Sequence, residues 1–107
     1  MIEEISIEEL ARQIKSGVEP TMIDIRARYY FAEGHVPNAI NIPLSKLATA
    51  ELPAASPEKP IVFICQVGVS SLKACEIALA RGFENVCSLS EGTSGWIDAG
   101  NPVEEES

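Results

Sequence analysis

Basic charge is scarce in this chain. Eight Lys and Arg stand against sixteen Asp and Glu, a formal charge of -8 over 107 residues. That balance argues against nucleic acid and anionic membrane surfaces as partners. Long apolar runs are absent, so no segment reads as a membrane span. Met1-Ile2-Glu3-Glu4 has neither the basic nor the apolar region of a secretory signal, which leads us to expect a soluble, cytoplasmic protein. Histidine occurs once, as His35, and cysteine three times, as Cys65, Cys75 and Cys87. An odd number of widely spaced thiols with a single imidazole predicts neither a disulfide framework nor a metal site, and nothing else in the sequence calls for a cofactor. Reduced thiols follow.

What is present is enough apolar material, 46% of residues, for one compact domain over 1–107. The acidic end at about 103–107, with Glu104-Glu105-Glu106, reads as a solvated tail. A helix is predicted after Ser6, with Glu9 completing a capping box, Ile5 and Leu10 forming a hydrophobic staple, and Gly17 ending it. Short apolar strands are predicted at 21–25, 39–42, 61–64 and 86–89. Between them, 28–32 and 44–48 read as short helical turns and 51–60, with three prolines, as irregular. The spacing of Leu72, Cys75, Ala78 and Leu79 predicts a helix over 71–81 that stops at Gly82. Residues 92–96 read as a loop, with a last helical turn at 96–99. Strands alternating with helices imply an α/β fold, a parallel sheet covered on both faces, whose ligands sit beyond the carboxyl ends of the strands.

Cys65 occupies that position. The segment Cys65-Gln66-Val67-Gly68-Val69-Ser70-Ser71 joins the strand Ile61–Ile64 to the following helix. Such a turn aims backbone N–H groups and the positive end of a helix dipole at one point, which stabilises an anion and lowers a thiol's pKa. Cys65 is therefore a candidate nucleophile. Gly68 either supplies positive φ or keeps a side chain out of the loop, and Ser70 and Ser71 are candidates both for helix capping and for hydroxyl donation to a substrate. Cys75 and Cys87 are expected to pack as small apolar groups. Asp24 and Arg26 flank a strand end and predict an ion pair that ties loops together, and Trp96 predicts a core or rim aromatic.

Four blocks in this order resemble the single-domain rhodaneses, a family of thiosulfate sulfurtransferases. They are Met22-Ile23-Asp24-Ile25-Arg26, the run from Gly34-His35-Val36-Pro37 through Asn41-Ile42-Pro43, the Cys65–Ser71 loop, and Glu91-Gly92-Thr93-Ser94-Gly95-Trp96. The resemblance implies a five-stranded parallel sheet in a three-layer fold and a persulfide on Cys65. It implies a small-molecule sulfur donor such as thiosulfate, a thiol or cyanide acceptor, and room for a protein acceptor. Residues 66–71 would bind the substrate, with Asp24, Arg26 and His35 as structural support. Cys-x5-Arg phosphatases related to this family need a guanidinium where this chain has Ser71, which disfavours phosphate chemistry. Rhodaneses commonly carry Arg at the position of Ser70, and often Gly at that of Glu91. A second reading is thus a rhodanese-like carrier or sensing module without turnover of its own.

Overall fold

A computed structural model describes residues 2–106. Its five strands form one parallel sheet in the order β1-β5-β4-β2-β3: β1 (Glu4–Ile5), β2 (Thr21–Asp24), β3 (Ile40–Asn41), β4 (Ile61–Ile64) and β5 (Val86–Leu89). Four helices connect them, α1 (Ile7–Lys15), α2 (Arg28–Glu33), α3 (Ser70–Ala80) and α4 (Gly92–Asp98), with a 3-10 turn at Leu44–Lys46. The parallel α/β architecture agrees with the sequence. The sheet's fifth member, β1, lies outside the four strands read from the residues, because two residues carry no periodic signal.

Alternation along β4 divides the core. Val62 and Ile64 join Leu10, Phe31, Leu89 and Trp96 on one face, while Ile61 and Phe63 join Ala74, Cys75 and Ala78 of α3 on the other. All four β4 residues are fully buried, as a central strand covered on both sides requires. Phe63→Ala would cost about 3–5 kcal/mol through lost transfer energy and the cavity left behind.

Four expectations need correction. Ser6 does cap α1, accepting from the Glu9 N–H at 3.0 Å, but the Glu9 carboxylate reaches forward to Arg12 and Gln13 instead of back to Ser6. A long charged partner one turn ahead outcompetes an exposed backbone N–H. In α3 the buried face is Ser71, Ala74, Cys75 and Ala78, whereas Leu72 is half-buried and Leu79 exposed. The helix approaches the sheet on its small residues, leaving leucine at the edge. Residues 92–96 are not a loop: α4 starts at Gly92, directly after Glu91 turns in the left-handed region at φ 66°. Finally, the acidic end is exposed in its side chains yet held in its backbone. Glu104 pairs with His35 through N–H···O bonds of 2.9 Å in both directions, and the Glu106 N–H donates to Ala32 O. Arg28 pairs with the Glu106 carboxylate, and Trp96, 2% exposed, donates from Nε1 to Pro102 O at 2.6 Å.

Candidate functional site

β4 ends at Ile64, and the chain turns at once into the Cys65 loop. Cys65 is only 4% exposed and lines the floor of a cleft at the strand end. Two backbone N–H groups donate to Sγ, Gly68 at 3.1 Å and Ser71 at 3.3 Å, and Ser71 Oγ lies 3.3 Å away. Burial pushes the thiol up, but hydrogen bonds from the Ser71 hydroxyl and from the N–H groups of Ser71, Gly68 and Val67 outweigh it. The net effect holds Cys65 below the ordinary thiol range. Charge on this sulfur is met by donors already in place.

Neither serine caps α3. The N-cap is Val69, which makes no side-chain cap, so the capping role foreseen for Ser70 and Ser71 is absent. Ser71 is fully buried, and its hydroxyl turns to the sulfur and to Ser88 Oγ, 2.6 Å away. Ser70 lines the cleft beside Cys65. Val67 and Val69 are 57% and 68% exposed in their side chains; of the two, Val67 acts on the sulfur, through its backbone N–H. Gln66 also acts sideways. Its Oε1 accepts from Arg26 at 3.1 Å and its Nε2 donates to Ser94 Oγ at 2.7 Å.

Close backbone approach explains two glycines. Gly68 sits at φ 89°, and a Cβ there would lie 2.7 Å from Glu91 N. At Gly92, φ 58°, a Cβ would lie 2.5 Å from Cys65 O. Only glycine lets α4 begin against the cysteine loop, where the Thr93 N–H donates to Cys65 O at 2.8 Å and the Ser94 N–H to Gln66 O at 2.9 Å. Thr93 Oγ1 adds a second bond to Cys65 O at 3.1 Å.

Asp24 and Arg26 form the expected ion pair. Asp24 is fully buried; Arg26 Nε and Nη2 donate to its carboxylate at 2.9–3.2 Å, and Nη2 also donates to Gly34 O at 2.8 Å. Arg26 thus joins the end of β2, the loop after α2 and, through Gln66, the cysteine loop. His35 is not among the residues that line the cleft over Cys65. Its ring stacks on Phe31 at 3.7 Å between centroids, and Nδ1 lies 2.7 Å from Phe31 O, an acceptor-only partner that fixes the proton on Nδ1.

The cleft over Cys65 has a volume of ≈ 440 Å³ and is bounded by Ile25, Arg26, Tyr30, Leu44, Gln66 and Ser70. Among the described residues no group of three or more His, Cys, Asp or Glu converges as a metal site would, and no helix is long and apolar enough to cross a membrane.

Sequence reasoning missed Asn41, Thr93, Ser94 and Ser88. Asn41 Nδ2 donates to Asp24 O and Arg26 O at 3.0 and 2.9 Å, fixing the turn that carries Arg26. An Asn inside a strand, where Asn is disfavoured, was its signal. Ser88, fully buried within the apolar run of β5, offered a similar one.

The chain is similar over most of its length to known proteins. The chain is 32% identical over 95 residues to the thiosulfate sulfurtransferase GlpE of Shewanella oneidensis, covering 89% of this chain and 92% of that one. It is 33% identical to the human thiosulfate:glutathione sulfurtransferase, with 88% and 92% covered. The crystal structure of a rhodanese-related protein from Thermoplasma volcanium superposes with a TM-score of 0.77 at 30% identity, covering 94% and 96%. The profile of the rhodanese-like domain matches residues 6–99, and the chain belongs to that family.

Proposed function

We propose that the chain is a sulfurtransferase that carries sulfane sulfur as a persulfide on Cys65. The observation that carries this reading is the convergence of the Gly68 and Ser71 N–H groups and the Ser71 hydroxyl on one sulfur. The Cys65 thiolate attacks the outer sulfur of thiosulfate or another donor. For thiosulfate the S–S bond breaks, sulfite leaves with the electron pair, and Cys65-S-S⁻ remains. The same donors that hold the thiolate are at hand for this anion, with little reorganisation. Cyanide or a thiolate then takes the terminal sulfur and returns the Cys65 thiolate. No general base is needed, and His35 is stacked on Phe31, outside the lining of the cleft. A reducing, cytoplasmic setting suits the three free cysteines.

Intact-mass measurement after incubation with thiosulfate tests the reading. One added sulfur, mapped to Cys65, is expected; an unmodified thiol with both thiosulfate and an alkyl persulfide overturns it.

One observation favours the second reading, a carrier that loads without efficient turnover on thiosulfate. Arg26, the guanidinium at the cleft, has its charge matched by Asp24 and further N–H groups engaged by Gly34 and Gln66. Among the described residues, a dianion entering the cleft therefore meets backbone and hydroxyl donors without a free cation. Cyanide-dependent thiocyanate formation separates the readings. Continuous turnover supports the enzyme, while a single equivalent of sulfur released supports the carrier.

A further inference from the structure

Behind Cys65 lies a pair of hydroxyls, of which the outer one, on Ser88, has no part in the transfer chemistry described above. Ser71 Oγ is 3.3 Å from the sulfur and 2.6 Å from Ser88 Oγ, and both serines are fully buried. Ser88 belongs to β5, the neighbour of β4, so the two hydroxyls link the sulfur loop to a different strand.

Counting protons sets the direction of these bonds. Each hydroxyl has one hydrogen to give and lone pairs that accept. Among the described residues the Ser88 hydroxyl has one partner, Ser71 Oγ. If Ser71 gave its proton to Ser88, the Ser88 proton would be buried without an acceptor, at a cost of the kind that buried polar groups rarely bear. If Ser88 gives its proton to Ser71, both hydroxyls are satisfied, and the Ser71 proton is left with the cysteine sulfur as its acceptor. Donation from Ser88 also polarises the Ser71 O–H and strengthens its bond to sulfur.

We propose that Ser88 is a positioning residue for Cys65: its buried hydroxyl donates to Ser71 Oγ and thereby commits the Ser71 proton to the cysteine sulfur. The relay ends at Ser88, and that dead end gives it a fixed sense. A thiolate or a persulfide accepts the proton offered to it. A protonated thiol must instead place its own hydrogen where the Ser71 hydrogen already points, or turn it into the cleft.

Few charged groups compete for control of this sulfur. Arg26, matched by Asp24, and Tyr30 share the cleft with it from the turn after β2 and from α2. Glu91 precedes α4 beside Gly68, and Lys73 lies on the exposed side of α3, paired with Glu76. Burial and hydrogen bonds govern the titration of Cys65, with no charged side chain among the causes. Hydroxyl substitutions should therefore read out directly.

The test follows Cys65 alkylation by iodoacetamide against pH, resolved by peptide mass spectrometry, in the full chain. Cys75 and Cys87 stay protonated over the working range, at about 12 and about 11. Ser71→Ala should raise the Cys65 midpoint by about 1–2 units, the loss of a hydrogen bond to a charged group. Ser88→Ala, which touches no sulfur atom, should raise it by about 0.3–0.6 unit, or slow alkylation at low pH roughly two- to fourfold. Ser88→Thr, which keeps the hydroxyl, should restore the parent midpoint. In the double variant Ser71→Ala/Ser88→Ala, the second change should add nothing, because its path to sulfur is gone. A Ser88→Ala midpoint equal to the parent's, or a shift that adds fully to that of Ser71→Ala, overturns the proposal. Should Ser88→Ala not fold, Ser88→Cys, nearly isosteric but a weak donor, gives the same reading. None of these outcomes depends on sulfur transfer, so they stand or fall apart from it.

Discussion

Cys65 and Cys75 are both buried, 4% and 0% exposed, and both pack in the core layer between the sheet and α3. Their thiols are nevertheless displaced in opposite directions. Burial raises Cys75 to about 12, with no hydrogen bond to offset it. The same penalty acts on Cys65 and is overcome by donors from Ser71, Gly68 and Val67. Enclosure alone makes a thiol inert; enclosure with N–H groups already aimed at it makes a thiolate. The difference lies in where each cysteine sits. Cys75 is in the interior of α3, where the backbone N–H groups are spent on the helix, and Cys65 precedes the helix start, where they are free.

That contrast can be broken by exchange of function. Cys65→Ser should reduce sulfur transfer by at least roughly 10³-fold, as removal of a nucleophile does, while Cys75→Ala leaves thiocyanate formation intact. Equal losses in the two variants would erase the distinction. Next in size is the frame around the loop. Asp24→Asn strips the buried counter-charge from Arg26 and should destabilise the fold by about 3–5 kcal/mol in urea titration, more than Cys75→Ala does.

Gly68→Ala strains the cradle alone. A positive φ and a Cβ 2.7 Å from Glu91 N should cost about 1–3 kcal/mol. Iodoacetamide labelling at neutral pH should slow as the loop N–H groups shift off the sulfur, and undiminished labelling would show that they do not set its reactivity.

Titration sharpens the contrast further, because the stability contributed through the two thiols changes with pH in opposite directions. For Cys65, lowered in the fold, the contribution is present above the unfolded pKa and is lost as pH falls through the folded one. For Cys75, raised in the fold, it is present below the unfolded value of 9.0 and is lost as pH rises towards 12. Melting curves of the parent and Cys75→Ala should therefore converge or cross between pH 9 and 12, and a constant gap would contradict the shift. The smallest effect is a gain. Glu91→Gly releases a left-handed non-glycine residue and should stabilise by up to about 1 kcal/mol, read from the melting temperature.

The strand-to-helix turn at Cys65 was legible because it combines an apolar run, a cysteine, a glycine and a helical pattern within a few residues. β4, four apolar residues in a row, was legible for the same local reason. The partners of Arg26 were less so, since Gly34 and Gln66 meet it only through the sheet order. The start of α4 was hidden because Gly-Thr-Ser-Gly favours loops locally, and contacts with Cys65 O and Gln66 O override that preference. Ser88 stood out in the sequence only as a polar residue in an apolar strand; its face and its partner, Ser71 Oγ, are set by the packing of α3 on β5.

A peptide group is a rigid bar with oxygen at one end and hydrogen at the other. By gripping the oxygens of Cys65 and Gln66, the first residues of α4 set the direction in which the hydrogens of the Gln66 and Val67 amides point. Helix α4 is in that sense a lever on the cysteine, fixing the polarity of the loop from outside it. The lever passes through Gly92, which has no side chain to hold the two backbones apart. Sulfur chemistry in this protein is thus tuned from a segment that contributes no atom to the sulfur's own shell.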